Sequence, residues 1–383
     1  MKKNLLLFAV FLLLPVLLSS CEQRESTTPN GTKIKIGIIG PLSGPYLAQG
    51  KSGIEGIRAA IKIKPLLKDG TAIELVVEDD RDEAARTITA LKKLTEVDKV
   101  AAVLVFSDSG SVLALEPFVD RCETPVMAIL ATHPDISKKS KYMTQLCFDD
   151  VFQGAVAALF VRDELLIEKV AVIDNPENPY SSRLATEFRQ QFTAAGGKIS
   201  KIVLISDEVD DLSAIMDNLR AEHTQLLYMP VKAECLIRVV KATREIGWHP
   251  KMMSGDGFLA TVLSRFRDDL VLLNGVMATE LFGYRVLDTD YEKRLRQAYA
   301  SLFKHQPTTY SALGAEAYAI LCDALNRCND PENRHEINDK LHQTTDFDGI
   351  SGKVSITADG KARRALYVDK IENSHLKVIV KVY

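Results

Sequence analysis

Ile34-Lys35-Ile36-Gly37-Ile38-Ile39 is a run dominated by β-branched residues, and the change of hydrophobic period just beyond it decides the fold. Ile54, Ile57 and Ile61 recur at helical spacing before a second β-rich run, Ile73 to Glu78. The hydrophobic period then keeps switching between two and 3.6. Ile88, Leu91 and Leu94 precede the run Val100 to Phe106, a helical stretch leads from Leu113 toward Val119, and the runs Pro125 to Leu130 and Tyr142 to Phe148 come next. The connections are too long for hairpins, so the pattern predicts βαβ units and a parallel sheet covered by helices on both faces.

After Asp150 the pattern restarts. A helix over about 151–166 leads to a strand at Lys169 to Ile173, and a helix over about 181–195, stopped at Gly196-Gly197, leads to a strand at Ile199 to Ile205. Next come a helix near 212–221, a strand at Gln225 to Met229, a helix near 235–246 ended by Gly247, and a short strand at Lys251 to Met253. The last hundred residues hold two longer helices, about 288–304 and 309–328. After them come short strands at Lys353 to Ile356, Leu366 to Val368 and Leu376 to Val382, with a turn at Gly360. The fold class expected is α/β, with two similar doubly wound parallel-sheet lobes that these last elements complete.

Length and composition fit two such lobes. The chain has 383 residues, 46% hydrophobic and 26% charged, with 48 basic against 51 acidic side chains and a net charge of −3. This excludes disordered, collagen-like and disulfide-rich classes. No Lys/Arg-rich block supplies the electrostatic footprint of a nucleic-acid binder, so no nucleic-acid partner is expected. Residues 1–20 stand apart: Lys2-Lys3, then the apolar run Leu5 to Leu18, interrupted by Pro15. That run is too short to span a bilayer and reads as a secretory signal. It ends in Leu18-Ser19-Ser20-Cys21, which looks like the lipobox of bacterial lipoproteins, with Cys21 as the lipidated first residue of the mature chain. Ordinary cleavage nearby with a free Cys21 is the alternative. Loss of 1–20 leaves 46 basic against 51 acidic residues, a charge of −5. Residues 21–32 are polar and aperiodic and read as a flexible tether. The other cysteines, Cys122, Cys147, Cys235, Cys322 and Cys328, read as buried thiols, with Cys122 and Cys147 the one pair to consider for a disulfide.

A parallel sheet places its chemistry at the carboxyl ends of its strands. There the chain offers Ser107-Asp108-Ser109-Gly110-Ser111, Ala131-Thr132-His133, Asp174 to Tyr180, Pro230-Val231-Lys232 and Ser254-Gly255-Asp256-Gly257. Ser109 can cap the helix it opens, where free N–H groups form an anion site. Hydroxyls with helix N–H groups suit a carboxylate and Asp256 suits an ammonium, so the inventory suits a small zwitterion. No Walker loop, G-x-G-x-x-G, G-x-S-x-G elbow or HExxH is present, and neither cofactor nor metal is expected.

The segment Ile34 to Pro45, the strand end Val76-Val77-Glu78-Asp79-Asp80, Pro125 to Thr132 and Gly255-Asp256-Gly257, in that order, resemble the blocks of the type I periplasmic binding proteins of the leucine/isoleucine/valine-binding family, receptors of branched-chain amino acid ABC importers. The resemblance covers about Lys33 to the C-terminus. It implies two lobes joined by three crossovers near Asp149-Asp150, Ala278 to Glu280 and Gly352 to Gly360. Lobe one is then 33–150 plus 280–352, and lobe two 151–279 plus 353–383. It implies no enzymatic activity, an amino-acid ligand, an ABC permease as partner, and an exported protein of the periplasm or cell surface held to a membrane through Cys21. For the ligand site it implies Ser109 and Thr132 on the α-carboxylate, the main chain of Leu130 and the Asp256 carboxylate on the ammonium, and Tyr180 closing from the opposite lobe. Lys232 departs from the aromatic or small residue that relatives often carry, and implies a polar or acidic ligand side chain rather than an aliphatic one. Each residue also has a plain structural role open to it: a helix cap for Ser109, a turn for Thr132 and Asp256, a helix-start ring for Tyr180, a solvated surface for Lys232. A ligand-sensing lipoprotein signalling to a membrane receptor and, further off, a serine hydrolase with Ser109 as nucleophile are the competing functions.

Overall fold

The computed structural model describes residues 33–206, 212–283 and 289–383. Residues 1–32, and with them the export segment, the tether and Cys21, lie outside the described residues. The first lobe is built in chain order from β1 (Lys33–Gly40), α1 (Leu47–Ile63), β2 (Ala72–Asp79), α2 (Ala84–Lys92), β3 (Ala102–Val105), α3 (Ser109–Leu113), α4 (Glu116–Cys122), β4 (Val126–Ala128), α5 (Asp135–Lys138) and β5 (Met143–Gln145). Its sheet has the order β2-β1-β3-β4-β5, and every pairing is parallel. Val103, Leu104 and Val105 at its centre are fully buried, because helices cover both faces.

The second lobe begins with α6 (Asp150–Leu159), β6 (Lys169–Asp174), α7 (Pro179–Ala194), β7 (Lys198–Leu204), α8 (Ser213–Ala221), β8 (Leu226–Tyr228), α9 (Ala233–Glu245), β9 (Lys251–Ser254), α10 (Phe258–Arg265) and β10 (Met277–Glu280). The chain then returns to lobe one with α11 (Asp290–Leu302), α12 (Thr309–Leu325) and α13 (Arg334–His342). Next comes a small antiparallel sheet, β11 (Phe347–Gly349), β12 (Gly352–Ile356) and β13 (Ala362–Arg363), and the chain ends with β14 (Leu366–Glu372) and β15 (His375–Val382). The second sheet runs β15-β14-β10-β9-β8-β6-β7. It is parallel from β7 to β10, and β14 and β15 add to its edge antiparallel. The fold is therefore the expected one, two doubly wound α/β lobes.

Two details differ from the sequence reading. The last return to the second sheet falls at Leu366, because β12 and β13 belong with β11, and Lys361 bridges to Gln145 of β5 in lobe one. The described cysteines are all free: the Cys122 thiol donates to Val119 O and the Cys147 thiol to Ile129 O.

The lobes are joined where three segments cross: Leu146 to Asp149, the stretch after β10 at Leu281, and Ile350 to Ala365. One fully buried ion pair binds all three. Arg364 Nη1 lies 2.5 Å from Glu316 Oε2, and the guanidinium also donates to the carbonyls of Leu146 and Leu281, each at 3.4 Å. Glu316 Oε1 accepts the N–H of Ile350 at 2.8 Å. Glu316 projects from α12, which packs tightly along α1. Gly56 and Gly314 permit that approach, since a methyl on Gly56 would collide with Ser311 O and one on Gly314 with Gly53 O.

Candidate functional site

A cleft lies between the lobes at the carboxyl ends of both parallel sheets. Lobe one contributes Ser109 at the start of α3 and Leu130 after β4; lobe two contributes Tyr180 at the start of α7, Lys232 before α9 and Asp256 in the turn between β9 and α10. Five of the six expected ligand residues thus line one cavity. Thr132 is not among the lining residues. Its side chain is buried two positions beyond Leu130, with Oγ1 near Asp150, where it favours the ionised carboxyl but lacks hydrogen-bond geometry to any partner.

Asp256 is held by lobe two. Its N–H donates to Gln153 Oε1 at 2.8 Å, and Gln153 Nε2 returns a bond to Asp256 Oδ1 at 2.9 Å. Thr279 Oγ1 donates to the same Gln153 Oε1 at 2.5 Å, so the amide cannot flip without losing partners. Tyr180 Oη donates to the Asp256 carbonyl at 3.2 Å. The intervening Gly255 makes this contact possible, because any Cβ there would collide with Tyr180 Oη and with Leu184. Gly257 takes a left-handed φ of 74° and turns the chain into α10.

Burial pushes the Asp256 carboxyl up to about 6, against the pull of its bonds to Gln153 and Tyr180. Two more carboxyls lie close by. Asp150 and Glu280 are fully buried, and both are pushed well above the carboxylate range, first by desolvation; the Asp256 charge adds to each. Neither is legible in the sequence as part of the site: Glu280 closes a four-residue strand, and Asp150 reads as the charged first turn of α6. Of these three carboxyls Asp256 is the one that lines the cleft, and a carboxyl desolvated in this way gains from a nearby cation.

On the lobe-one side the sequence reading needs one correction. Ser109 does not cap α3. Asp108 does, with Oδ1 accepting the Ser111 N–H at 3.0 Å, while the N–H of Asp108 donates to Asp82 Oδ1 at 2.8 Å. The Asp108 side chain therefore already takes one N–H group of the helix start, that of Ser111, and Ser109 is the first residue of the helix. Ser109 Oγ accepts the His133 N–H at 3.3 Å and keeps its own proton to donate. The lobes meet across the cleft. The Lys232 ammonium sits 5.2 Å from the centre of the Tyr46 ring, Tyr310 Oη of α12 donates to Gly257 O at 3.3 Å, and Tyr310 shares a 3.0 Å hydrogen bond with Thr261. Among the described residues no cluster of side chains has the makings of a metal site, and no helix is long and apolar enough to cross a membrane.

The family model described as periplasmic binding protein matches residues 33–375. The chain belongs to the periplasmic binding protein family. The two-lobed fold of this periplasmic binding protein is shared with a leucine binding protein, LivK, of Thermotoga maritima (TM-score 0.84, 25% identity, 91% of this chain and 98% of that one). It is shared as well with the branched-chain amino acid transporter substrate binding protein LivJ of Streptococcus pneumoniae, solved with isoleucine (TM-score 0.81, 24% identity, 92% and 100%). Among curated proteins the chain is similar to an amino acid binding protein of Pseudomonas aeruginosa, 27% identical over 64% of this chain and 66% of that one. The periplasmic binding protein matches about half to two thirds of the length of such curated relatives.

Proposed function

We propose that the protein is a lipid-anchored extracytoplasmic receptor that captures an amino acid, or a similar small zwitterion, by closure of its cleft and delivers it to an ABC importer. The observation that carries this reading is the pairing across one cavity of Asp256, a carboxyl held in place by Gln153 and Tyr180, with the Ser109 hydroxyl on the facing lobe. The ligand's ammonium meets Asp256 and the Leu130 carbonyl. Its carboxylate accepts a hydrogen bond from the Ser109 hydroxyl. Tyr180 and Lys232 close from lobe two. A ligand touching both lobes favours the closed form by its differential contacts, and the closed face is what a permease reads. The relatives described as amino acid, leucine and isoleucine binders support the ligand class. Cys21 supplies the anchor and the polar tether the reach. The work is binding, a reading supported by the family's description as periplasmic binding protein and by the relatives described as binding proteins.

A thermal-shift screen of the purified protein against amino acids, amides, sugars and nucleosides tests the reading. A bound amino acid raises the midpoint in proportion to RT ln(1 + [L]/Kd), and Asp256→Asn removes the shift. A response to a sugar or nucleoside with none to any zwitterion sinks it.

A further inference from the structure

The cleft carries polar side chains that the proposed contacts to the backbone of an amino acid do not use. Asp82, in the turn between β2 and α2, and Asp108, ahead of α3, both line it together with Tyr46 and Gln49 of lobe one and Lys232 and Glu234 of lobe two. The two aspartates come from different loops and are locked together by the hydrogen bond from Asp108 N–H to Asp82 Oδ1. Asp82 donates its own N–H to Oδ1 of the buried Asp80 at 2.9 Å, and Asp80 is occupied by Thr87 and Ser107. Burial and the neighbouring charges of Asp108 and Asp80 push the Asp82 carboxyl up to about 7. Two carboxyls thus crowd the wall of a cavity that closure desolvates. Of the charged residues that line the cleft, Lys232 is one cation against the carboxyls of Asp82, Asp108, Asp256 and Glu234, the last engaged by Arg265 at 2.5 Å.

That charge set separates three classes of ligand. An acidic side chain adds a further like charge beside Asp82 and Asp108. An aliphatic one buries both carboxyls against hydrocarbon with nothing to replace their water. A cationic one supplies the missing partner through a charge-assisted hydrogen bond. We propose that Asp82 and Asp108 are the specificity-determining residues of the cleft and that its ligand is an amino acid with a cationic side chain, an ammonium or a guanidinium. The inference rests on the amino-acid reading above and departs from the expectation that Lys232 selects an acidic or polar side chain.

Isothermal titration calorimetry of the purified full chain with L-lysine, L-arginine, L-leucine and L-glutamate tests it. Lysine or arginine is expected to bind at least tenfold tighter than leucine and glutamate, and Asp82→Asn and, separately, Asp108→Asn, which keeps a capping side chain, bring that preference down to threefold or less. Tighter binding of leucine or glutamate than of both basic amino acids, or a preference that survives both substitutions, overturns the inference while leaving the amino-acid reading intact. If none of the four binds, this inference is overturned, and the amino-acid reading stands or falls separately on the thermal-shift screen.

Discussion

Asp256 shows how one residue sets opposite pH trends in the empty and the loaded protein. Its carboxyl is pushed up to about 6, and Asp150 and Glu280 are pushed up as well, so the folded empty protein holds more protons than the unfolded chain between pH 4 and 6. By linkage, empty-state stability then falls as pH rises through that window and is greater on its acid side. On the proposed reading ligand binding runs the other way, because an ammonium at Asp256 would need its ionised form. For a ligand with an uncharged side chain, affinity is expected to be flat above pH 7 and to fall about tenfold per pH unit below 6. Calorimetry across pH 4.5 to 8, with denaturant unfolding of the empty protein alongside, measures both slopes; an affinity that does not weaken below pH 6 removes Asp256 from the ammonium site. At this scale the sequence is partly legible. Ser109, Leu130, Tyr180, Lys232 and Asp256 stand at strand ends where a parallel sheet exposes its loops, and all five reach the cleft. Asp82 escapes such a reading, because a run such as Glu78 to Glu83 looks the same whether it faces water or a cavity, while Asp108 stands in a strand-end loop that the sequence does single out, with Ser109 rather than Asp108 as its candidate.

At the scale of elements, the turn between β9 and α10 carries the most function per residue. It packs against α7 with no room for a side chain at Gly255, and that contact points Tyr180 at the Asp256 carbonyl. Gly255→Ala should displace the ring, cost about 1–3 kcal/mol of stability from overpacking, and weaken ligand binding at least tenfold. Urea unfolding and calorimetry read the two effects separately; unchanged affinity would show that Tyr180 does not position the site. The central strands are readable because burial on both faces leaves an unbroken apolar run, as in Val103 to Val105. β10 does not read as a strand, since its four residues end in Thr279 and Glu280, polar groups whose burial only tertiary packing explains. α13 is hidden for the related reason that charged residues dominate it, and only Ile337, Asn338 and Leu341 are buried.

For the whole molecule the governing feature is the pair Arg364 and Glu316, which ties all three crossings to one point. Removing one partner strands the other without solvent. Arg364→Ala should therefore destabilise the protein by about 3–5 kcal/mol, while Arg364→Met combined with Glu316→Leu should recover most of that loss. Urea unfolding of both variants measures this, and a full loss in the double variant would mean that the backbone contacts to Leu146, Leu281 and Ile350 matter more than the charges. Nothing in the local sequence announces the pair, because its members lie 48 positions apart and meet only once the interleaved chain has folded. The carboxyls lining the cleft have a related consequence at the same scale. A receptor that shuts while vacant would bring Asp256, Asp82 and Asp108, the carboxyls that line the cleft, into a shrinking aqueous gap, where they take up protons or bear their mutual repulsion. In a receptor that works as proposed, that penalty would act as a spring holding the unoccupied form ajar, and an arriving ammonium would release it. Traffic at the membrane would then be filtered before any docking, since unladen molecules would seldom show a transporter the shape that opens it.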